Sequence, residues 1–238
     1  MRKVVRAFLV VVLLTAAGKV PAQFMDIGGG FIDAGVHGAV MKGITRKSAK
    51  QSDVTGPAPL SPAQKAALQF VPSMEQRQRN YASFVEKTRA VDPAGADQLQ
   101  QTLSQNDILA VAEAPFRDLG FDMYNVADAY AMWFVTAWLA GQGRVDTPSA
   151  ETLGAVRDQV ESAFGTLPVL LSTDDATKQE AAEAHYLQSI LISVTVEAAQ
   201  SDAAYLEKVK VAVKQGAVAS GMDLDAFELT ETGFVLRQ

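Results

Sequence analysis

The chain has 238 residues, 48% of them apolar and 20% charged, a globular composition with room for one ordinary domain or two small ones, which excludes wholesale disorder. With no cysteine and a net charge of −6, it can hold no disulfide framework, thiol nucleophile, zinc ribbon or iron–sulfur cluster, and a primary role in nucleic-acid binding is disfavoured. Alanine is the commonest residue, at 38, and points to helices.

Arg2, Lys3 and Arg6 open the chain, the apolar run Ala7 to Leu14 follows, and Val20-Pro21-Ala22 precedes Gln23. A basic start, a short apolar core and small residues before the cut make residues 1–22 a secretory signal peptide, cleaved after Ala22. The competing reading is a retained anchor, but the run is shorter than the roughly 20 apolar residues of a permanent span. No cysteine follows it to carry a lipoprotein lipid. Cleavage removes Arg2, Lys3, Arg6 and Lys19, leaving 17 basic against 27 acidic residues, a net −10. Such a charge disfavours lipid head groups and nucleic-acid phosphates as partners. The expected location is periplasmic or extracellular.

Residues 23–60 read as a Gly-rich arm and linker. Gly28, Gly29, Gly30, Gly35, Gly38 and Gly43 interrupt a weak apolar pattern. Ile32, Val36, Val40 and Ile44 recur every fourth residue, and Gly30, Ala34 and Gly38 form a small-residue lane that suits close helix approach in a membrane. Against a membrane helix, each glycine costs about 1 kcal/mol in a helix exposed to water, and Asp33, His37 and Lys42 would bury charge. Envelope association through 28–44 and a mobile arm therefore stand as alternatives. Beyond it, Arg46, Lys47 and Lys50 and the Gly56-Pro57-Ala58-Pro59 stretch have the look of a solvated linker.

From residue 61 to the end, helix punctuation recurs. Ser61-Pro62 caps a helix near 62–70, and Ser73 with Gln76 has capping-box form before one near 74–90. On that helix Tyr81, Phe84, Val85 and Thr88 form the inner side. Asp92-Pro93 starts a helix near 93–103 with Ala96, Leu99 and Leu103 inward. Asn106 or Asp107 caps a short piece that Pro115 breaks or kinks. The most apolar segment runs from Tyr124 to Ala140 and stops at Gly141 and Gly143. Its two apolar lanes, Val126, Tyr130, Phe134, Trp138 and Ala127, Ala131, Val135, Leu139, predict burial on most sides. Helices follow near 149–164, at 174–199 capped by Thr173, and near 202–219. The tail alternates at Phe227 and Leu229 and turns at Gly233, a short hairpin or an extended cover strand. The expected fold is all-α, a single bundle of about seven or eight helices.

Strong catalytic signatures are missing from the sequence: it has no H-E-x-x-H, no G-x-S-x-G, no phosphate loop and no metal-ligand cluster, and it implies no cofactor. Asp128 is the charge inside the apolar segment. It has either a raised pKa and acid–base use or, more simply, a backbone N–H or basic partner that orients two helices. Glu183, with Glu180 and Glu197, offers carboxylates for hydrolysis if a cleft joins them; near a helix start, however, solvated and dipole-compatible carboxylates are the plainer reading. His185 and Ser189 are one turn apart, but no elbow or oxyanion donor accompanies them. Tyr130, Trp133 and Trp138 are candidates for an aromatic ligand pocket, or else core.

Asn125-Val126-Ala127-Asp128-Ala129-Tyr130-Ala131 with Trp138, Phe84 to Arg89 with Val91-Asp92-Pro93, and Lys178 to Glu183 resemble an uncharacterised family of exported bacterial helical proteins, over about residues 60–236. The resemblance implies an exported helical domain and carries no activity. Three readings follow: a non-enzymatic domain binding a protein or a small apolar ligand, a hydrolase using Asp128 or Glu183, and an envelope-associated protein using 28–44.

Overall fold

The computed structural model describes Lys42 and residues 60–237, with the backbone alone for Leu171. The expected signal peptide, and the Gly-rich arm and linker apart from Lys42 and Leu60, lie outside the described residues. Within them, nine helices lead to a two-stranded antiparallel hairpin. They are α1 (Pro62–Ala67), α2 (Met74–Val91), α3 (Pro93–Gln105), α4 (Ile108–Asp118), α5 (Val126–Gly141), α6 (Ala150–Phe164), α7 (Pro168–Ser172), α8 (Asp175–Ala199) and α9 (Ala203–Ala219). A 3₁₀ turn at Leu224–Ala226 precedes β1 (Phe227–Thr230) and β2 (Gly233–Leu236). The all-α bundle and its hairpin are as expected; the helix beyond eight is the five-residue α7, in what reads from sequence as a simple break.

Local chemistry explains the boundaries, and corrects three of them. The full capping box belongs to Ser61 and Gln64, because Gln76 turns its side chain to Asn80 (2.6 Å) instead of back to Ser73. Asp174, not Thr173, caps α8, accepting the Thr177 N–H at 2.8 Å; its carboxylate also suits the positive end of the helix dipole. Pro115 neither ends nor divides α4. A proline there removes the N–H that would bond to the Val111 carbonyl, and Val111 lies on the exposed side of the helix.

Helix α5 is the centre. Asn125 caps it by accepting from the Ala127 and Asp128 N–H groups, Gly143 closes it with φ +68°, and every residue from Val126 to Gly141 is buried. The long helix α8 makes the most extensive interface with it, while α6, α9 and the hairpin cover the remaining sides. The segment before α2 is tied to the start of α5 by Val126 N–H to Leu68 O and Phe70 N–H to Tyr124 O, both 3.0 Å. Helices α2 and α3 pair with each other, and α2 lies on α8.

The hairpin closes the core. Phe234 stacks on Phe134 with ring centroids 3.9 Å apart, and Trp138 donates its indole N–H to Phe227 O at 3.1 Å. The amide of Gln159 accepts from Phe234 N–H and donates to Phe234 O, both at 2.8 Å. One side chain of α6 thus plays the part of a neighbouring strand's peptide and satisfies a sheet edge. No helix among the described residues is long and apolar enough to cross a membrane.

Candidate functional site

The richest polar constellation lies in the α2–α8 seam. Successive turns of α2 present Gln76, Arg77 and Asn80, all buried, and α8 answers with Gln179 and Glu183, also buried. Arg77 Nε donates to Glu183 Oε1 at 2.8 Å and its Nη1 to Asp107 Oδ2 at 3.0 Å. Asn80 donates to Glu183 Oε2 at 2.6 Å and Gln179 to Oε1 at 2.9 Å. Gln179 also holds both Ser73 N–H and Ser73 O at 2.8 Å. Glu183 is only 2% exposed, so the expected solvated carboxylate is corrected. It is accommodated indoors because one charge-assisted and two neutral donors replace its water. Glu180 is the half-exposed one, beside Lys87 at 3.9 Å.

Asp107 joins this network to the start of α4. It caps that helix through Ala110 N–H at 3.1 Å and accepts the Tyr81 hydroxyl at 2.7 Å. Burial alone would raise the Asp107 carboxyl; the bonds from Tyr81, Ala110 and Arg77 outweigh it and hold the group below its ordinary value of 3.8. Burial likewise opposes the Arg77 charge, but Glu183 and Asp107 more than offset it, so the guanidinium stays protonated. The phenol of Tyr81 is pushed up, chiefly by burial.

Asp128 sits on another side of α5, facing α6. Arg157 grips it with Nε to Oδ1 and Nη2 to Oδ2, both 2.9 Å, and Asp122 N–H donates to Oδ2 at 2.7 Å. Burial raises its pKa, and the Arg157 and Asp122 bonds lower it only in part, leaving it above 3.8. Chemically it is an anchor: Arg157 binds it along one edge and a backbone amide takes a further lone pair.

Tyr130 and Trp133 pack on His185, each with ring centroids 5.5 Å away, and Tyr130 on Phe164 at 5.2 Å. Tyr130, Trp133 and Trp138 are at most 4% exposed, and burial drives the Tyr130 phenol far above its usual range. His185 Nδ1 is 2.7 Å from Ala181 O, and Ser189 donates its hydroxyl to His185 O at 2.7 Å, not to the ring. A serine so engaged is not paired with a base. The aromatic candidates form a sealed core. Asp128, Glu183 and Tyr130 do not converge: Asp128 turns to α6, Glu183 to α2, and Tyr130 inward.

Arg77, Asn80, Gln179, Asp107 and Arg157 escape a reading that searches for catalytic residue types. A signal exists nonetheless. Gln76, Arg77 and Asn80 continue the stripe of Phe84 and Thr88 at helical spacing, as Gln179 and Glu183 continue that of Leu187 and Ile190. Polar residues prolonging an apolar stripe mark a buried polar seam. Among the described residues no group of three or more His, Cys, Asp or Glu is placed to hold a metal ion.

Compared with known proteins, residues 3–237 match the model of a family of unknown function, DUF6683, and the chain belongs to that family. No curated protein and no solved structure matches it.

Two outcomes follow for the seam. Arg77→Met strands Glu183 without its cation and is expected to cost about 3–5 kcal/mol, while Arg77→Met with Glu183→Leu recovers much of the loss; urea unfolding measures both, and additive losses contradict the coupling. Because the folded Asp107 pKa is depressed, its contribution to stability is full above 3.8 and is lost as pH falls below that through the folded value. Unfolding of Asp107→Asn across this window is expected to show a shallower acid dependence than the native chain, and parallel curves contradict the assignment.

Proposed function

We propose that this member of the family is an exported, non-enzymatic helical domain that binds a partner molecule. The supporting observation is how the ionisable candidates are spent. Glu183 is held by Arg77, Asn80 and Gln179, Asp128 by Arg157 and Asp122, and Ser189 by a backbone carbonyl. A general acid or base must reach its substrate's proton at about 2.6–3.2 Å, and these groups point into helix seams instead. Their geometry suits fixing helix positions, so that a binding surface keeps its shape. Export rests on the basic, short-apolar, small-residue order of residues 1–22.

Two measurements test this. Expressed in a bacterium with a general secretory pathway, the full chain is expected outside the cytoplasm with an intact mass beginning at Gln23; an uncleaved cytoplasmic product contradicts export. Asp128→Asn is expected to lower stability by about 1–3 kcal/mol without changing turnover of ester, amide or glycoside substrates. A pH-dependent hydrolysis that this variant abolishes while its melting temperature survives contradicts the non-enzymatic reading.

A further inference from the structure

Three large apolar side chains stand in water where the chain enters the bundle. Val71 is 74% exposed, and Met74 and Val169 are 59% exposed each. All three lie on segments that meet at the start of α8. Val71 N–H donates to Asp175 Oδ2 at 3.1 Å, Ser73, next to Met74, is held by Gln179, and the Thr173 hydroxyl donates to Val169 O at 2.6 Å. Beside them α1 packs on α7 without burying any residue of its own, and Ala63, Ala66 and Pro168 are exposed as well. Exposed apolar surface gathered in one place, unlike single scattered side chains, marks a face that something covers.

The chain itself brings a cover to this corner. Leu60 fills the space that a side chain on Gly165 would need, and α7 begins just beyond, at Pro168. The residues before Leu60 therefore arrive at the edge of the uncovered face. Among them Ile32, Val36 and Val40 recur every fourth residue, one face at helical spacing. Lys42, which is helical and exposed, falls on the other side of the same wheel. Arg46, Lys47 and Lys50 follow, and no acid occurs from residue 34 to residue 52. The body answers with the opposite sign: Asp174 and Asp175 are exposed and bond backbone N–H groups instead of a cation. Residues 51–59 span up to roughly 30 Å when extended. The path from Gly165 to Asp174 is shorter, because five of the residues between them are wound in α7.

We infer that residues 32–50 dock on this corner of their own bundle. Ile32, Val36 and Val40 lie against Val71, Met74 and Val169, and the basic run from Arg46 to Lys50 lies beside Asp174 and Asp175. Opposite charges at the rim fix the register, and the apolar contact supplies the adhesion. The tether favours this occupant over a second copy, since it holds the segment at an effective concentration of roughly millimolar. It is favoured over a bilayer because Asp33 and His37 stay in water on a protein surface, and because Asp174 and Asp175 repel the anionic head groups that the basic run would seek. The inference does not depend on the binding reading above, which export and turnover test.

The test is paramagnetic relaxation in the isotope-labelled full chain, whose lack of cysteine leaves Val40→Cys as the sole attachment point for a nitroxide label. The label is expected to erase the amide signals of Val71, Met74 and Val169 and to spare those of Val211 and Val218, which are also exposed but lie on α9. An equal mixture of spin-labelled chain without isotope and isotope-labelled chain without the spin label should show no such loss. Vesicles of phosphatidylglycerol and phosphatidylethanolamine should change neither result. Val169→Asp, at an exposed position, should restore the Val71 and Met74 signals and let trypsin cut after Arg46 and Lys50 several-fold faster. Signals at Val71 and Val169 that survive the label, or a loss equal to that at Val211, overturn the proposal. So do a loss in the mixed sample, which assigns the face to a second copy, and a loss that vesicles abolish, which assigns the segment to a membrane.

Discussion

A helix with no face for water obliges the rest of the chain to surround it. Helix α5 imposes that constraint: its sixteen residues, Val126–Gly141, are all buried, and Trp133, Tyr130 and Phe134 are among the largest fully buried side chains. Each large apolar side chain fully removed from water favours folding by about 1.5–3 kcal/mol, provided something packs against it. Helix α8 supplies one wall with His185, α6 another with Phe164, and the hairpin a third with Phe227 and Phe234. The hairpin's role shows why a mostly helical chain ends in strands. Two four-residue strands are marginal by themselves, but here they are a lid over Phe134 and Trp138, clasped by the Gln159 amide.

Apolar packing alone sets the relative positions of helices loosely, and the buried polar groups remove that freedom. Arg77 with Glu183 and Asp107 ties α2 to α8 and to the start of α4; Arg157 with Asp128 ties α6 to α5. Buried ion pairs contribute little net stability compared with apolar replacements, yet removing one partner is costly. Their effect is therefore on geometry more than on free energy. Each of the two buried carboxylates, Glu183 and Asp128, accepts three hydrogen bonds from within the chain.

Much of this architecture was legible beforehand, and the exceptions have physical causes. The apolar lanes of α5 and the turn at Gly233 are local signals, and the corresponding elements appear within a residue or two of their expected places. Glu183 was misjudged because helix-start statistics say nothing about a guanidinium arriving from a helix 106 residues away in sequence. Of the two effects expected of Pro115, a break or a kink, the break does not occur, since α4 runs through it from Ile108 to Asp118. The partner of Thr136 could not be read at all: a threonine on an apolar helix looks the same whether its hydroxyl finds a carbonyl or, as here, a thioether.

The family match spans residues 3–237, the helical body and the residues before it. Within that unit, the account stands or falls on α5 as the most protected element. Amide hydrogen exchange of the native full chain measures this residue by residue. The slowest-exchanging amides are expected in α5 from Tyr130 to Ala140 and on the facing stretch of α8 from His185 to Val196. Exchange of the α5 amides as fast as those of α1 or α7 would contradict it.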